Sequence, residues 1–242
     1  LADLWPRTAG PMTKDARRAF RTAIEDMTQS WLWELANQRQ NRIPEPVDYI
    51  EMRRKTFGSD LTMSLSRLRH GKALPPEVHR SRAVQAMEQS ASDYGTLIND
   101  CFSYQKEIEF QGEVHNAVLV VQNFFGCGRM EALGIVDDLM NSRMREFQHV
   151  VATQLPALAE EFALDAEARA ALDGYVQELK DWMSAVLTWH RKCHRYTEAD
   201  LLRHHAAPPA VPTPHGPTGI GTSGTRIGTR TGTLPVRAGS GG

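Results

Sequence analysis

Hydrophobic residues recur every three or four positions along most of this chain, and short alternating segments between turns are missing. This spacing is typical of amphipathic helices, so the sequence predicts an all-α fold. The first long helix is predicted from Thr13 to about Asn37, with one apolar face and one charged face. Its predicted inner face consists of Phe20, Ile24, Met27, Trp31, Leu32 and Leu35.

Proline, glycine and N-cap residues predict where the later helices begin and end. The prolines at 44 and 46 open a short helix that Gly58 closes, because glycine readily takes the positive φ of a helix end. Ser59 is expected to cap the helix that begins at residue 60, and Asp165 is expected to cap the last helix. Pro156 is expected to end the helix that begins at residue 129. The predicted helices lie at 44–58, 60–68, 75–110, 116–125, 129 to about 155 and 166 to about 197.

Three oxygen-bearing side chains, Asn99, Ser103 and Glu107, lie four residues apart and therefore share one face of a helix. Their oxygens are hard ligands that suit Mg²⁺, and so few protein ligands leave room for phosphate oxygens and water. Lys106 lies beside them as a phosphate partner. The same spacing also occurs on solvated helix faces, but the apolar run at 117–121 indicates a buried helix whose polar groups need partners.

This motif resembles the second metal-binding motif of class I terpene synthases. Arg53, shortly before the predicted helix end, resembles the diphosphate-sensing arginine of that family, and Arg195-Tyr196 resembles its late Arg-Tyr pair. Trp189 resembles a tryptophan of its substrate cavity. The resemblance covers roughly residues 1–205 and implies part of a class I terpenoid synthase helical bundle.

The resemblance also implies a role for each of these side chains. Electrostatic stabilisation of the diphosphate by metal and cationic groups is the main task of such a site. The implied Mg²⁺ ligands are Asn99, Ser103 and Glu107, and the implied diphosphate-binding residues are Arg53, Lys106, Arg195 and Tyr196.

Aromatic residues spaced by seven, Trp182, Trp189 and Tyr196, form one stripe if the last predicted helix is continuous. Such a row is more often ordinary core packing. An aromatic face in a closed cavity can also stabilise a carbocation and exclude water, which is what the resemblance implies. Trp189 is the preferred cavity residue, and Phe102 is a second candidate.

The stretch from Asn99 to Asn116 narrows the resemblance to bacterial geosmin synthases, and within them to the C-terminal half. That half implies a Mg²⁺-dependent cyclase and lyase that converts germacradienol to geosmin with loss of acetone. It also implies an N-terminal terpene synthase domain in the parent chain. Two alternatives stay open: another sesquiterpene or methylated-monoterpene cyclase that ionises an allylic diphosphate such as farnesyl diphosphate, or an inactive helical remnant.

One departure from the family pattern concerns its first metal motif, an Asp-Asp cluster that should precede Arg53. The pair Asp137-Asp138 follows the second motif instead, so it is interpreted as a solvated helix face. The sequence therefore predicts an N-terminally truncated fragment that lacks the Asp-rich helix and is only marginally stable alone.

Composition excludes several functional classes. A chain of 242 residues that is 41% hydrophobic can bury a core, and a formal net charge of −1 gives no bias toward nucleic acid. No stretch approaches the ~20 apolar residues of a membrane span, and no signal-peptide pattern is seen. The three cysteines lack metal-ligand spacing, which indicates reduced thiols in a cytoplasmic protein.

After about Ala206 the composition shifts to proline, glycine and threonine. Such a segment buries little apolar surface, so residues 1–205 are predicted as the folded domain and 206–242 as a disordered tail. A GxGxxG run at Gly219–Gly224 has no preceding strand and is not interpreted as a dinucleotide site. His190 and His194 lack a third metal ligand and are interpreted as surface histidines.

Overall fold

The computed structural model describes residues 2–70 and 73–206. Every regular element in these two ranges is helical, which confirms the all-α fold, and no helix there is long and apolar enough to cross a bilayer. The predicted tail beyond residue 206, with its Gly219–Gly224 run, lies outside the described residues. The helices are α1 (Leu4–Ala9), α2 (Lys14–Gln40), α3 (Pro46–Thr56), α4 (Ser59–His70), α5 (Pro76–His79), α6 (Arg82–Tyr104), α7 (Ala117–Phe125), α8 (Arg129–His149), α9 (Leu155–Glu161), α10 (Ala166–Lys192) and α11 (Glu198–Ala206).

Helix α2 begins where the sequence predicts, but it ends at Gln40, three residues beyond the predicted end near Asn37. The Thr13 hydroxyl accepts a hydrogen bond from the backbone N–H of Ala16 at 3.2 Å, and Asn41 closes the helix in the left-handed region with φ 50°. The prediction that Leu32 belongs to the inner face is wrong, because its side chain is 63% exposed. Trp31, which the same prediction placed on the inner face, is partly buried and donates its indole N–H to the carbonyl of Thr56 at 3.2 Å.

The helix break at Gly58 is confirmed. Gly58 has φ 80°, and a Cβ built on it would lie 2.8 Å from the sulfur of Met27, so both conformation and space favour glycine. The prediction that Ser59 caps the next helix is wrong, because α4 already begins at Ser59. The carbonyl of Gly58 accepts the first bond of that helix, from the N–H of Thr62 at 3.2 Å.

The element predicted over 75–110 is three elements. Helix α5 ends at His79, and Ser81 caps α6 through a bond from the N–H of Val84 at 3.3 Å. Helix α6 then widens into a π-helical turn over Gln105–Phe110. Periodicity alone did not indicate either break, because a four-residue helix and a π-turn keep the apolar spacing almost unchanged.

Pro156 does not end a helix as predicted. A π-helical turn over Val150–Gln154 connects α8 to α9, and Pro156 lies in the first turn of α9. A proline is tolerated there because the first N–H groups of a helix have no partner within it. The backbone therefore changes from α-helical to π-helical hydrogen bonding at residue 150 and remains helical through Pro156.

The last long helix is shorter than predicted. Asp165 caps α10 by accepting from the N–H of Ala168 at 2.8 Å, but the helix ends at Lys192. A 3₁₀ turn, His194–Tyr196, and helix α11 follow. Tyr196 therefore does not continue a helical stripe with Trp182 and Trp189, because the backbone changes direction between them.

Three clusters of buried side chains form the core of the described residues; α6 contributes to the two larger ones, and the third is a small cluster of Ala9, Met12 and Phe20. The first lies among α4, α5, α6 and α8 to α10, and the second lies among α3, α6, α7 and α8. Gly95 lets α10 approach α6 closely, since a Cβ there would lie 2.6 Å from the indole of Trp182. Representative members are Val84, Met87, Phe147, Tyr175 and Leu179 in the first cluster, and Tyr49, Leu97, Tyr104, Val118 and Val136 in the second.

Three buried carboxylates lie along α6, and each pairs with an arginine from α3 or α4. A buried carboxylate needs such a partner because desolvation penalises its charge. These pairs fix the position of α3 and α4 against the central helix. The pairs are Glu88 with Arg67, Asp93 with Arg54, and Asp100 with Arg53.

We predict that His79 makes the protein less stable below neutral pH. Burial, together with Arg67 and His70, lowers its pKa to about 4, and its ring lies 5.9 Å from that of Tyr175. The unfolded chain therefore binds the proton first as pH falls below about 6.5, and the native state loses stability down to its own pKa.

His79→Phe should remove this penalty, because neither ring nitrogen has a hydrogen-bond partner among the described residues. In urea unfolding, the free energy lost between pH 7 and pH 5 should be about 1 kcal/mol smaller in the variant than in the parent. His194→Gln, at an exposed histidine, is the control. An equal loss in parent and His79→Phe would contradict the prediction.

Candidate metal and diphosphate site

The Asp100 carboxylate lies at the centre of the site. It is fully buried and accepts from the Arg53 guanidinium at 2.8 and 3.2 Å, from the Tyr49 hydroxyl at 2.5 Å and from the N–H of Ala117 at 3.0 Å. Burial first, and then the Asp100 charge, raise the pKa of Tyr49 well above its usual range, so Tyr49 remains a donor. This network joins α3, α6 and the start of α7.

Asn99 lies next to Asp100 and connects two of the predicted site segments. Its amide oxygen accepts from Arg53 at 2.8 Å, and its amide nitrogen donates to the Tyr196 hydroxyl at 3.1 Å. The structure therefore brings Arg53 and Tyr196 into direct contact with Asn99, although the three residues come from α3, the 3₁₀ turn after α10 and α6.

His190 is buried, so its interpretation as a surface histidine is wrong, whereas His194 is exposed. Its Nε2 lies 3.0 Å from the amide nitrogen of Asn99, and its Nδ1 lies 2.7 Å from the carbonyl oxygen of Val186. The ring also stacks on Tyr196, with centroids 5.5 Å apart and an interplanar angle of 5°. Burial lowers the pKa of His190, which favours its neutral form.

Ser103 is fully buried, and its hydroxyl has no hydrogen-bond partner among residues 2–70 and 73–206. A buried hydroxyl without a partner costs free energy unless something outside the chain satisfies it. Asn99 has a second lone pair on its amide oxygen, and Glu107 accepts from Asn116 through only one carboxylate oxygen, at 3.1 Å. The three predicted ligands thus keep oxygen lone pairs available and fit a divalent cation.

Glu107 is partly buried and lies close to other carboxylates. Burial and the nearby Glu113 raise its pKa to about 7, although Arg53 acts in the opposite direction. Burial likewise raises the pKa of Glu113 and of Glu34, and Arg53 again opposes the shift. A bound cation would relieve this repulsion.

Lys106 and Arg195 lie at the edge of the site. Lys106 is buried and donates to the side-chain oxygen of Gln111 at 2.6 Å, and burial lowers its pKa. Arg195 is exposed, and its guanidinium lies 5.9 Å from the ring centroid of Tyr196. Neither side chain has a hydrogen bond to Asn99, Ser103 or Glu107 among the contacts of the described residues.

The two predicted cavity residues flank His190. Its ring centroid lies 4.8 Å from that of Trp189 and 5.4 Å from that of Phe102. Trp189 is 50% exposed and Phe102 is partly buried, so these rings form an open aromatic face. Trp182 lies apart, against Gly95 in the core.

The acidic pair Asp137-Asp138 is exposed on α8, as predicted for a solvated face. In the described ranges, no three His, Cys, Asp or Glu side chains cluster closely enough to hold a metal. The metal interpretation therefore depends on the mixed amide, hydroxyl and carboxylate set.

Three important side chains were missed from the sequence: Asp100, Asn116 and His190. Asp100 shares a helix face with the core residues Leu97 and Tyr104, and a carboxylate on an apolar face indicates a buried cation partner. Asn116 caps α7 and also donates to the backbone carbonyl of Asp100 at 2.8 Å. For His190 the sequence gives no comparable signal, because its partners are distant in the chain.

The family profile and two curated relatives that match this chain are all terpene synthases. A family profile described as terpene synthase family 2, C-terminal metal binding, matches residues 1–146, more than half of the chain. Pristinol synthase of Streptomyces pristinaespiralis is 27% identical over 203 residues, which cover 82% of this chain and 53% of that protein. A 4-epi-cubebol synthase ((2E,6E)-farnesyl diphosphate cyclizing) of Streptosporangium roseum is also 27% identical, covering 74% and 52%.

Solved structures give the same fold. The linalool/nerolidol synthase of Streptomyces clavuligerus, in complex with 2-fluorogeranyl diphosphate, aligns with a TM-score of 0.73 at 24% identity. The alignment covers 81% of this chain and 64% of that one, which confirms the terpene synthase helical bundle. The chain spans about half the length of the curated relatives it matches.

We predict that Asp100→Asn destabilises the protein severely. All four hydrogen bonds to this carboxylate come from donors, and an amide can accept at only one of its two heavy atoms. The buried Arg53 charge would also lose its closest counter-ion, so the expected loss is about 3–5 kcal/mol in urea unfolding. Asp138→Asn, at an exposed position, should change the free energy of unfolding by less than about 0.5 kcal/mol.

Proposed function

We propose that this chain, which belongs to terpene synthase family 2, supplies the second metal motif and the diphosphate-binding residues of a Mg²⁺-dependent terpene cyclase. The observation that carries the proposal is the fully buried hydroxyl of Ser103, which lies between Asn99 and Glu107 along the helix and has no hydrogen-bond partner within residues 2–70 and 73–206. The buried hydroxyls of Ser90 and Ser92 on α6 also have no partner among the described residues, so the argument depends on the position of Ser103, one helical turn from both Asn99 and Glu107. The contact of Asn99 with both Arg53 and Tyr196 adds a cation and a hydroxyl at the same place.

Each side chain has a definite task in this proposal. Asn99, Ser103 and Glu107 would hold one Mg²⁺, which when bound withdraws charge from the diphosphate oxygens. Arg53 and Tyr196 would donate hydrogen bonds to the diphosphate, since each has donor capacity left beyond its contact with Asn99. Lys106 and Arg195 would contribute positive charge from the edge of the site.

The aromatic face of Phe102 and Trp189 would lie along the hydrocarbon part of the substrate. Ring faces attract a developing carbocation through their quadrupole, and apolar walls keep water from quenching it early. Trp189 is half exposed, so it would contribute fully only when covered.

Two substrates are candidates. The stretch from Asn99 to Asn116 favours germacradienol, the substrate of the C-terminal half of geosmin synthases, with release of acetone. The name of the 4-epi-cubebol synthase relative favours farnesyl diphosphate. The domain boundary near residue 205, an N-terminal partner domain and a cytoplasmic location stay predictions.

We predict that Glu107→Gln and Asn99→Leu abolish Mg²⁺-dependent binding of inorganic diphosphate, as measured by titration calorimetry. Asn99→Leu removes an oxygen ligand and Glu107→Gln removes the negative charge of another, while the helix remains, so far-ultraviolet circular dichroism should be unchanged. Glu109→Gln is a matched control, because it removes a carboxylate from an exposed position of the same π-helical turn. If all three variants bind diphosphate like the parent, the metal site is wrong and the inactive-remnant alternative gains support.

We predict that the natural protein containing this chain makes a terpenoid in the presence of Mg²⁺, and gas chromatography with mass detection identifies it. Germacradienol and diphosphate should give geosmin and acetone if the C-terminal-half assignment holds. A hydrocarbon or alcohol formed only from farnesyl diphosphate would overturn that assignment and retain the cyclase. The Glu107→Gln variant of the same protein should give neither product.

A further inference from the structure

The orientation of the Asn99 amide is fixed by chemistry on both of its sides. Arg53 has only donors, so the atom of Asn99 that lies 2.8 Å from it must be the amide oxygen. The amide nitrogen then faces Tyr196 and His190, at 3.1 and 3.0 Å. Its two hydrogens therefore need one acceptor each from these two side chains.

The tautomer of His190 follows from its other contact. A backbone carbonyl can only accept, so Nδ1, which lies 2.7 Å from the oxygen of Val186, carries the ring hydrogen. In the neutral ring Nε2 is then an acceptor, and it is the atom that faces the Asn99 amide nitrogen. The donor and acceptor requirements of the three side chains agree with one another.

We propose that His190 is a positioning residue that holds the Asn99 amide with its oxygen turned away from α10 and ready to bind the metal. The proposal rests on the proposed function, because it assigns a partner to one ligand of that site. Second hydrogen bonds that orient a ligand commonly decide whether a metal site is preorganised. Here the second bond comes from a side chain 91 positions later in the sequence.

The surroundings hold the imidazole in place. Tyr196 stacks on one face, the Phe102 ring lies 5.4 Å away, and the carbonyl of Val186 anchors Nδ1 one helical turn earlier. The Tyr196 hydroxyl accepts the other amide hydrogen and keeps its own hydrogen free to donate. Without His190, one N–H of a ligand amide would lose its partner and the side chain would gain freedom.

Two substitutions separate the hydrogen bond from the packing of the ring. His190→Phe keeps an aromatic ring against Tyr196 but offers no acceptor. His190→Gln gives up the ring, yet its side-chain oxygen reaches about as far as Nε2 and can accept from Asn99. His194→Phe is the control, because it replaces an exposed histidine near the same helix end.

The test is a titration of the full chain with Mn²⁺ in the presence of inorganic diphosphate, followed by electron paramagnetic resonance of the free ion. We expect the Mn²⁺ dissociation constant to rise about tenfold in His190→Phe, the equivalent of one net hydrogen bond. It should stay within about threefold of the parent in His190→Gln and His194→Phe. Circular dichroism checks that each variant is folded.

A second readout does not need the metal. The side-chain amide resonance of Asn99, assigned by its loss in Asn99→Leu, should shift and exchange faster in His190→Phe than in parent and His190→Gln. Equal Mn²⁺ affinity in parent and His190→Phe, or equal weakening in both His190 variants, would overturn the inference. A parent chain that binds no Mn²⁺ would overturn the proposed metal site itself, and this inference with it. If His190→Phe does not fold, an Asn99 resonance that differs between parent and His190→Gln overturns the inference.

Discussion

The buried ion pair between Arg53 and Asp100 is the interaction on which the rest of the site depends. A carboxylate at this depth must have its charge compensated, and the pair brings α3 against α6 to do so. Asp100 also accepts from the first N–H of α7, so three helices converge on one side chain. In this position Arg53 also donates a hydrogen bond to the amide oxygen of the neighbouring residue, Asn99. A structural pair and the predicted ligand are thus coupled through adjacent positions of one helix.

Buried ion pairs are seldom the most stabilising way to fill a core, since well-packed apolar residues often do as well. The three pairs along α6 are therefore better understood as devices that fix geometry. Each arginine comes from α3 or α4, so these short helices cannot slide along α6 without leaving a carboxylate unpaired. This explains how a site assembled from distant segments keeps its side chains in contact.

The sequence predicted much of the fold, because helix ends depend on local chemistry. Gly58 and Asp165 act where they were expected to, the first long helix begins at its predicted start, and the all-α class followed from the apolar spacing alone. What the sequence did not predict depends on partners far along the chain. His190 belongs to a polar helix end with no local sign of burial, and its role is set by Asn99 on another helix. The prediction that Leu32 is buried was wrong for a related reason. Periodicity identifies an apolar face of a helix, but it does not show how much of that face a neighbouring helix covers.

The π-helical turn after Tyr104 has a consequence for the motif itself. In a regular α-helix four residues advance about 40° beyond a full turn, so Glu107 would lie about 80° around the helix from Asn99. A π-helix has more residues per turn, so each residue rotates less about the helix axis. The angle between Ser103 and Glu107 around the helix is therefore smaller than the angle between Asn99 and Ser103. Asn116 holds the widened turn, since its amide donates both to the carbonyl of Asp100 and to Glu107. The widened turn, which the spacing of four did not reveal, therefore keeps the three oxygens closer to one face than a straight α-helix would.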